Sequence, residues 1–239
     1  MKADEGWKII AHIHTDFSAK FGIPRQSGLV DSLQGRIVFE PEFRNPDAVR
    51  GLEAFSHIWL LWQFSEALRE NWTATVAPPR LGGRMRMGVF ATRSPFRPNS
   101  IGLSSVRLER VELDGKQGPV LWVSGADLLD GTPIYDIKPY LAYTDSHPDA
   151  EAGFAGAVLD YELEVEFPEE LLERLPEHKR KTVLELLRQD PRPGTTEAVD
   201  KEYRMLFGGY DIWFRMVEDR IVVTNCFEKE NVEQSSSFS

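Results

Sequence analysis

The sequence has a single cysteine, Cys226, among its 239 residues. One thiol cannot form an intramolecular disulfide or supply a cysteine-based zinc cage. Long apolar runs are also lacking, since stretches such as Ile58–Trp62 fall far short of the roughly 20 residues of a transmembrane helix. The first residues, Met1–Trp7, contain two acidic side chains and no apolar segment of the kind found in secretory signals. We therefore expect a cytoplasmic protein.

The phosphate-binding motifs of nucleotide enzymes are absent as well. The pair Gly82-Gly83 is not followed by the G-x-G-x-x-G spacing, and no P-loop Lys-Ser or Lys-Thr follows a glycine. A Rossmann-type dehydrogenase or methyltransferase is therefore not supported. His12 and His14 lie two residues apart on a predicted strand and share a face, but no third ligand is near them, so we expect no metal site.

Acidic residues are missing from one long segment of the chain. None occurs between Asn71 and Leu108, although six arginines do. The net charge of −10 divides into −1 for residues 1–150 and −9 for residues 151–239. The arginine-rich segment could bind a polyanion or a ligand with a carboxylate, or it could be an ordinary solvated basic face.

The first two thirds of the chain show β patterns separated by turns. Arg36–Glu40 alternates in hydrophobicity. Within Phe55–Leu68, the apolar run Ile58–Trp62 could be a buried strand or a buried helix, and a strand to about Phe64 followed by a helical turn is favoured. Ile101–Leu113 and Val120–Ser124 are predicted to pair as a hairpin. These patterns predict an all-β domain over residues 1–146, built as a barrel or a strongly curled sheet.

The pattern changes from about residue 150. Leu159–Phe167 alternates as a half-solvated strand, and Glu169–Arg188 is predicted as an amphipathic helix that Pro176 kinks or splits. A closing hairpin is predicted over residues 210–226, and a disordered tail over residues 231–239. Residues 150–230 thus predict a small α+β domain. The expected fold class is mainly β, with an N-terminal non-Rossmann β-barrel domain followed by a small α+β C-terminal domain.

Several segments are unusual for a generic β domain. The densest is RMGVFATRSPFRPNSIGLS, which runs from Arg86 to Ser104. The others are PRQ at residues 24–26, GLEAFSH at 51–57, PPRLGG at 78–83, and DLLDGTP at 127–133, which continues to DIKPY at 136–140. In this order the segments closely resemble the TrmO (YaeB/TsaA-like) family of tRNA methyltransferases. The resemblance extends from about Trp7 to Tyr140 and continues more weakly through residues 190–193.

The resemblance implies an enzyme that uses S-adenosylmethionine to methylate N6 of threonylcarbamoyladenosine (t6A) next to the anticodon in tRNA, giving m6t6A. It also implies a homodimer with cofactor sites near the subunit interface. Ser65-Glu66 stands where many relatives carry His-Gln, and Ser100 replaces a proline. The family's cofactor positions fall on Pro24, Arg25, Gln26, Ser65, Glu66, Arg93, Leu103, Asp130, Gly131, Thr132 and Pro133.

The implied chemistry assigns roles to residues within these segments. The N6 nucleophile is weak and must lose a proton, so a nearby base would help, and the candidate catalytic residues are Asp127, Asp136 and Tyr140. For each of them a role in capping turns or in core hydrogen bonding is the alternative. Arg93 can pair with a carboxylate of the cofactor or of the substrate's threonyl group.

Other residues of these segments are candidates for contact with cofactor and RNA. The turn at residues 130–133 can offer backbone N–H and C=O groups to the cofactor. The candidate substrate and RNA contacts are Arg84, Arg86 and Arg97. The candidates for stacking on the target base are Phe96, Tyr135 and Tyr140.

Two other functions stay open on the sequence alone. One is a non-catalytic barrel that binds a nucleotide-like metabolite or RNA. The other is a methyltransferase that acts on a different substrate, because the loops that select a substrate carry no pattern that separates these functions.

Overall fold

The computed structural model describes residues 6–67, 71–78, 85–113, 115–158, 162–192 and 201–229. Its first eight strands are β1 (Ala11–Thr15), β2 (Gln34–Phe39), β3 (His57–Gln63), β4 (Thr75–Val76), β5 (Met87–Gly88), β6 (Ile101–Glu112), β7 (Val120–Ser124) and β8 (Thr132–Pro139). Six of them close a barrel in the order β1-β2-β7-β6-β3-β8, and every pair is antiparallel. Strands β4 and β5 pair with each other as a separate small sheet.

The barrel core follows from alternation along its strands. In β3, Ile58, Leu60 and Trp62 are buried, and the residues between them are only partly buried. Successive side chains of a strand point to opposite faces, so one set fills the barrel and the other faces outward. This confirms the buried strand predicted within residues 55–64. The predicted hairpin is also confirmed, because β6 pairs with β7.

Strand β8 was not predicted, although it closes the barrel by pairing with β1 and β3. Leu61 and Trp62 of β3 pair with Asp136 and Ile134, so Tyr135 is an extra residue that forms a bulge in β8 and interrupts the alternation on which strand prediction rests. Pro133 and Pro139 lie at the two ends of β8, where a missing N–H costs little, but prolines in a sequence argue against a strand.

After the barrel come α1 (Ala142–Asp145), β9 (Glu164–Glu166), α2 (Glu169–Leu172), α3 (Glu177–Arg188), β10 (Glu202–Phe207), β11 (Tyr210–Val217) and β12 (Arg220–Glu228). The four strands form a sheet in the order β10-β11-β12-β9, with β9 parallel to β12. Together with the barrel, this small α+β region confirms the predicted fold class.

The C-terminal predictions have mixed outcomes. The helix is split at Pro176 as predicted, and α3 begins directly after it. Strand β9 covers only residues 164–166 of the predicted 159–167, and residues 159–161 lie outside the described part of the chain. The predicted disordered tail, residues 231–239, also lies outside it. The hairpin of β11 and β12 is confirmed, whereas β10 was not predicted.

The loop between β1 and β2 joins the two parts of the chain. Its residues Phe17, Val30 and Leu33 are buried in the hydrophobic core that the C-terminal elements form, not in the barrel core. The Asp16 carboxylate accepts a hydrogen bond from Lys179 of α3 at 2.6 Å. The boundary predicted between residues 146 and 150 stays a prediction, but this loop packs with the C-terminal region. No helix in the described ranges is long and apolar enough to cross a membrane.

Candidate active site

The candidate site lies where the loop after β1 runs beside the segment after β7. Gly28 donates a backbone hydrogen bond to Gly125 at 2.9 Å, and Gly125 donates to Leu33 at 2.8 Å. Further along, Asp130 donates to Phe17 at 2.9 Å. These bonds bring the motif at residues 24–26 next to the motif at residues 127–133.

Asp127 is half-buried and receives a hydrogen bond from the Ser104 hydroxyl at 2.6 Å. The Trp62 indole N–H donates to the same hydroxyl oxygen at 3.0 Å. Because an indole can only donate, it fixes the Ser104 hydroxyl as the donor to Asp127. Burial raises the pKa of the Asp127 carboxyl, while the Ser104 hydrogen bond and the positive charge of Arg93 act in the opposite direction and offset only part of the increase.

Arg93 is exposed and donates a hydrogen bond to the side-chain oxygen of Gln26. The Gln26 amide nitrogen donates in turn to the backbone oxygen of Arg25. Arg25 donates to the backbone oxygen of Arg192 at 3.2 Å, just beyond α3. Three separate parts of the chain therefore meet around Gln26 and Arg93, with Asp127 beside them.

Ser65 and Glu66 lie in a 3₁₀ turn directly after β3. The Lys20 ammonium pairs with the Glu66 carboxylate at 3.1 Å and donates to its backbone oxygen at 2.7 Å. Since Lys20 belongs to the loop that carries residues 24–26, this pair holds the turn against the same loop. Leu103 is 55% exposed on the outer face of β6 and offers an apolar surface next to Ser104.

The turn at residues 130–133 uses its backbone N–H groups for hydrogen bonds within the chain. The backbone N–H groups of Asp130, Gly131 and Thr132 donate to Phe17, Ile13 and Leu129, and Pro133 has no N–H. These three N–H groups are therefore already bonded within the chain, and the expected contact of the turn with a cofactor stays a prediction. The Thr132 side chain is buried and donates to Leu129 at 2.7 Å. What the turn presents is the half-exposed Asp130 carboxylate and the open backbone at Gly131, where φ is +74°.

The three candidate catalytic residues do not form one group. Asp136 pairs with Leu61 on the outer face of β3, and its carboxylate binds Lys138 at 2.7 Å. The Tyr140 ring packs against Trp59 with ring centroids 5.5 Å apart, near the start of β3. Trp59 is next to Leu60, the partner of Ser104, but its side chain points to the opposite, outer face of β3, whereas Ser104 is buried inside the barrel. The structure thus places Asp127 with Arg93 and Ser104, and it places Asp136 and Tyr140 elsewhere.

The candidate RNA contacts make bonds within the arginine-rich segment. Arg86 donates to the side chain and the backbone oxygen of Thr75, both at 2.8 Å. Arg97 donates to the backbone oxygens of Thr92 and Val89 at 2.7 and 3.3 Å. Arg84 lies outside the described residues. The guanidinium groups of Arg86 and Arg97 therefore stabilise the conformation of the loops that carry them and place positive charge there.

Histidine and aromatic candidates have partners of their own. His12 lies 2.7 Å from a Glu40 oxygen and His14 lies 3.2 Å from an Asp130 oxygen. Among the described residues, no three histidine, cysteine or acidic side chains form a group that could hold a metal ion. Tyr135 packs edge-on against Trp7 at 5.5 Å.

Sequence reasoning missed the two side chains that orient Asp127. Ser104 and Trp62 are both buried inside the barrel. A signal was present, because Ser104 lies between Gly102 and Val106 in the inward-facing series of β6. A polar side chain in an otherwise apolar inward series needs a hydrogen-bonding partner.

The barrel is closed and is not a Rossmann fold. Its loops bring together the Arg93 guanidinium, the Gln26 amide and the Asp127 carboxyl, whose pKa is raised. This arrangement is that of a β-barrel enzyme whose site is formed by the loops. The chain matches the model of the tRNA-methyltransferase O N-terminal domain over residues 12–146 and that of the TrmO C-terminal domain over residues 160–229. The chain therefore belongs to the tRNA-methyltransferase O family.

Individual relatives agree with this placement. The chain is 42% identical over 217 residues to a tRNA (adenine(37)-N6)-methyltransferase of Escherichia coli, covering 87% of this chain and 92% of the relative. It is 46% identical over 191 residues to a Pseudomonas aeruginosa protein named as an S-adenosylmethionine-dependent methyltransferase, covering 77% and 80% of the two chains. A crystal structure of TrmO from Pseudomonas aeruginosa superposes with a TM-score of 0.74 at 34% identity, covering 94% of this chain and 99% of that one.

Proposed function

We propose that this enzyme, a tRNA (adenine-N6)-methyltransferase, transfers a methyl group from S-adenosylmethionine to N6 of t6A beside the anticodon and produces m6t6A. The observation that carries the proposal is the meeting of Gln26, Arg93 and Asp127, which come from three distant motifs and lie together at the loop end of the barrel. Family membership and the E. coli relative, whose name specifies N6 of adenine 37, support the same reaction.

The residues at the site fit the proposed cofactor. Arg93 offers an exposed guanidinium to a carboxylate, Leu103 offers an apolar face to a purine, and the Gly131 backbone permits close approach because a Cβ there would meet nothing within 4 Å. When bound, S-adenosylmethionine supplies an electrophilic methyl carbon whose leaving group is a neutral thioether. The remaining tasks, which are alignment, exclusion of water and removal of one proton, fall to the chain itself.

We propose that Asp127 accepts the proton that N6 loses. N6 of t6A must lose its hydrogen as the new N–C bond forms, and a carboxylate with a raised pKa accepts a proton better than an ordinary aspartate. The Ser104 hydroxyl donates to the carboxylate, and the backbone N–H groups of Asp127 and Ser27 also donate to it, so the base is held in a fixed position. Arg93 then has two suitable partners, the carboxylate of the cofactor and that of the threonyl group, and either contact aligns the reactants.

The cytoplasmic location, expected from the sequence composition, and the homodimer, implied by the family resemblance, are also part of the proposal. Light scattering in solution would show a mass twice that of one chain if the dimer forms, and the mass of a single chain would remove that part of the proposal without affecting the reaction.

The reaction is tested with two tRNA samples, one that carries t6A and one that carries unmodified adenosine at the same position. After incubation with S-adenosylmethionine, the tRNA is digested and its nucleosides are analysed by mass spectrometry. We expect one additional methyl group on t6A only. Methylation of another nucleoside would contradict the proposed substrate, and cofactor binding without any transfer would contradict the enzyme activity.

Arg93→Ala serves as the matched variant in this assay. It should abolish most of the turnover, because charge-assisted hydrogen bonds contribute about 1.5–3 kcal/mol each, while circular dichroism should show an intact fold. Arg50→Ala is the control, since Arg50 is an exposed arginine whose described ion pair, to Asp47, lies outside the site. A fully active Arg93→Ala enzyme would reject the role given to Arg93.

A further inference from the structure

Two exposed aromatic rings lie side by side near the site and take no part in the contacts described above. Trp72 and Phe90 stack with ring centroids 6.0 Å apart and an angle of 23° between their planes. Trp72 is 49% exposed and Phe90 is 71% exposed. Single exposed apolar side chains are common, but adjoining large rings that face solvent are typical of a binding surface.

The backbone holds Phe90 in this exposed position. Phe90 is in the 3₁₀ turn Val89–Ala91, and Val89 anchors the turn with only 1% exposure. The Val89 N–H donates to Ala74 at 2.9 Å, which ties the turn to the segment that carries Trp72. The rings are therefore preordered, so that a ligand stacking on them would meet a low entropic cost.

The surroundings of the rings are positively charged. The Arg97 guanidinium lies 5.7 Å from the centroid of the Phe90 ring, and its hydrogen bonds to Val89 and Thr92 keep it there. No acidic residue occurs between Asn71 and Leu108. Aromatic rings combined with arginine charge recognise single-stranded nucleic acid, because bases stack on the rings and phosphates pair with the cations.

The rings also lie at a suitable distance from the candidate site. Phe90 precedes Arg93 by three residues, so their Cα atoms are at most about 10 Å apart. We propose that Trp72 and Phe90 form a stacking platform for an unpaired base of the anticodon loop that flanks the target adenosine. For the identity of the RNA, this proposal rests on the proposed function. The platform would bind the anticodon loop while N6 of the target adenosine lies at Asp127.

The test uses the full chain and an RNA stem-loop with the sequence of an anticodon arm and unmodified adenosines. Phe90→Ala and Trp72→Ala should each weaken RNA binding roughly ten-fold, measured by fluorescence anisotropy. Phe90→Tyr should restore the affinity, because it keeps a stacking ring. The slope of affinity against salt concentration should stay the same, since no phosphate contact is removed.

Controls separate this role from general damage. Tyr143→Ala removes an aromatic ring that is 87% exposed on α1, and it should leave RNA binding unchanged. Affinity for S-adenosylmethionine, measured by calorimetry, should be unchanged in both platform variants. In turnover with t6A-containing tRNA, the platform variants should raise the KM for tRNA with little change in kcat.

Two outcomes would overturn the platform. The first is unchanged RNA affinity in both alanine variants. The second is a loss of RNA affinity that accompanies a lower molecular mass in light scattering, which would identify a second copy of the chain as the occupant of the rings. If the parent protein binds RNA but fails to methylate t6A, and Phe90→Ala weakens that binding, the proposed reaction is contradicted and the platform is supported.

Discussion

Asp127 lies where the barrel interior meets the loops, and opposing influences act on its carboxyl group. Burial has the largest effect and raises its pKa above the ordinary 3.8, while Ser104 and Arg93 lower it by smaller amounts. A base is most effective when its pKa lies near the working pH, so this shift favours proton acceptance from N6. The motif resemblance identified Asp127 among three candidates, but only the packing around Ser104 distinguishes it from Asp136 and Tyr140.

Methyl transfer should therefore depend on pH through Asp127. As pH falls through the raised pKa, the carboxyl becomes protonated and can no longer accept a proton, so kcat should decrease with an inflection above 3.8. Asp127→Asn should lower kcat by about 10²–10⁴ and remove this inflection. The measurement is kcat against pH for the two proteins at saturating concentrations of both substrates.

The stability of the same variant provides the control. A pKa that is raised by folding gives a stabilising contribution below the unfolded pKa, and this contribution is lost as pH rises through the folded pKa. At neutral pH the ionised Asp127 is therefore a cost to folding, and Asp127→Asn should be at least as stable as the parent in urea unfolding. A large loss of stability at neutral pH would mean that inactivity reflects damage to the fold and not a missing base.

At the scale of elements, β3 and β6 fit closely because Gly102 has no side chain. A Cβ atom at Gly102 would lie 2.2 Å from Cε2 of Trp62, which is itself buried. Gly102→Ala should displace the indole, lower the free energy of unfolding by about 1–3 kcal/mol, and weaken the bond from Trp62 to Ser104. Chemical denaturation measures the first effect, and reduced methyl transfer follows from the second.

Gly88→Ala, in strand β5, is the control for Gly102→Ala. A Cβ at Gly88 would meet nothing within 4 Å, and its φ of −57° suits any residue. Its effect on stability should stay within about 0.5 kcal/mol. Equal stability of the two variants would contradict the close packing of Trp62 on β6.

The elements also show where prediction from sequence succeeds and where it fails. β3 and the split at Pro176 were predicted because each depends on a local pattern, a buried apolar run or a proline. β8 was missed because a bulge at its own Tyr135 breaks the alternation, which only the pairing with β3 reveals. β10 carried a usable signal, since Tyr203, Met205 and Phe207 alternate as buried residues.

At the scale of the whole molecule, the loop between β1 and β2 connects the proposed cofactor motif at residues 24–26 with the C-terminal core. Ser32 donates to Glu185 at 2.5 Å, and Arg25 reaches the backbone of Arg192. No local pattern in the sequence predicts these contacts, because they join residues more than 150 positions apart. The position of residues 24–26 therefore depends on packing at the far end of the chain.

This dependence predicts that a C-terminal core substitution alters cofactor affinity. Leu186 of α3 is 1% exposed and lines a small cavity with Pro24 and Arg25. Leu186→Ala should destabilise the protein by about 2–5 kcal/mol and also weaken binding of S-adenosylmethionine, measured by calorimetry below the unfolding temperature. Leu175→Ala, also 1% exposed but not part of that cavity, should lose similar stability and keep its affinity. Equal cofactor affinity in the two variants would show that the C-terminal core does not position the motif at residues 24–26.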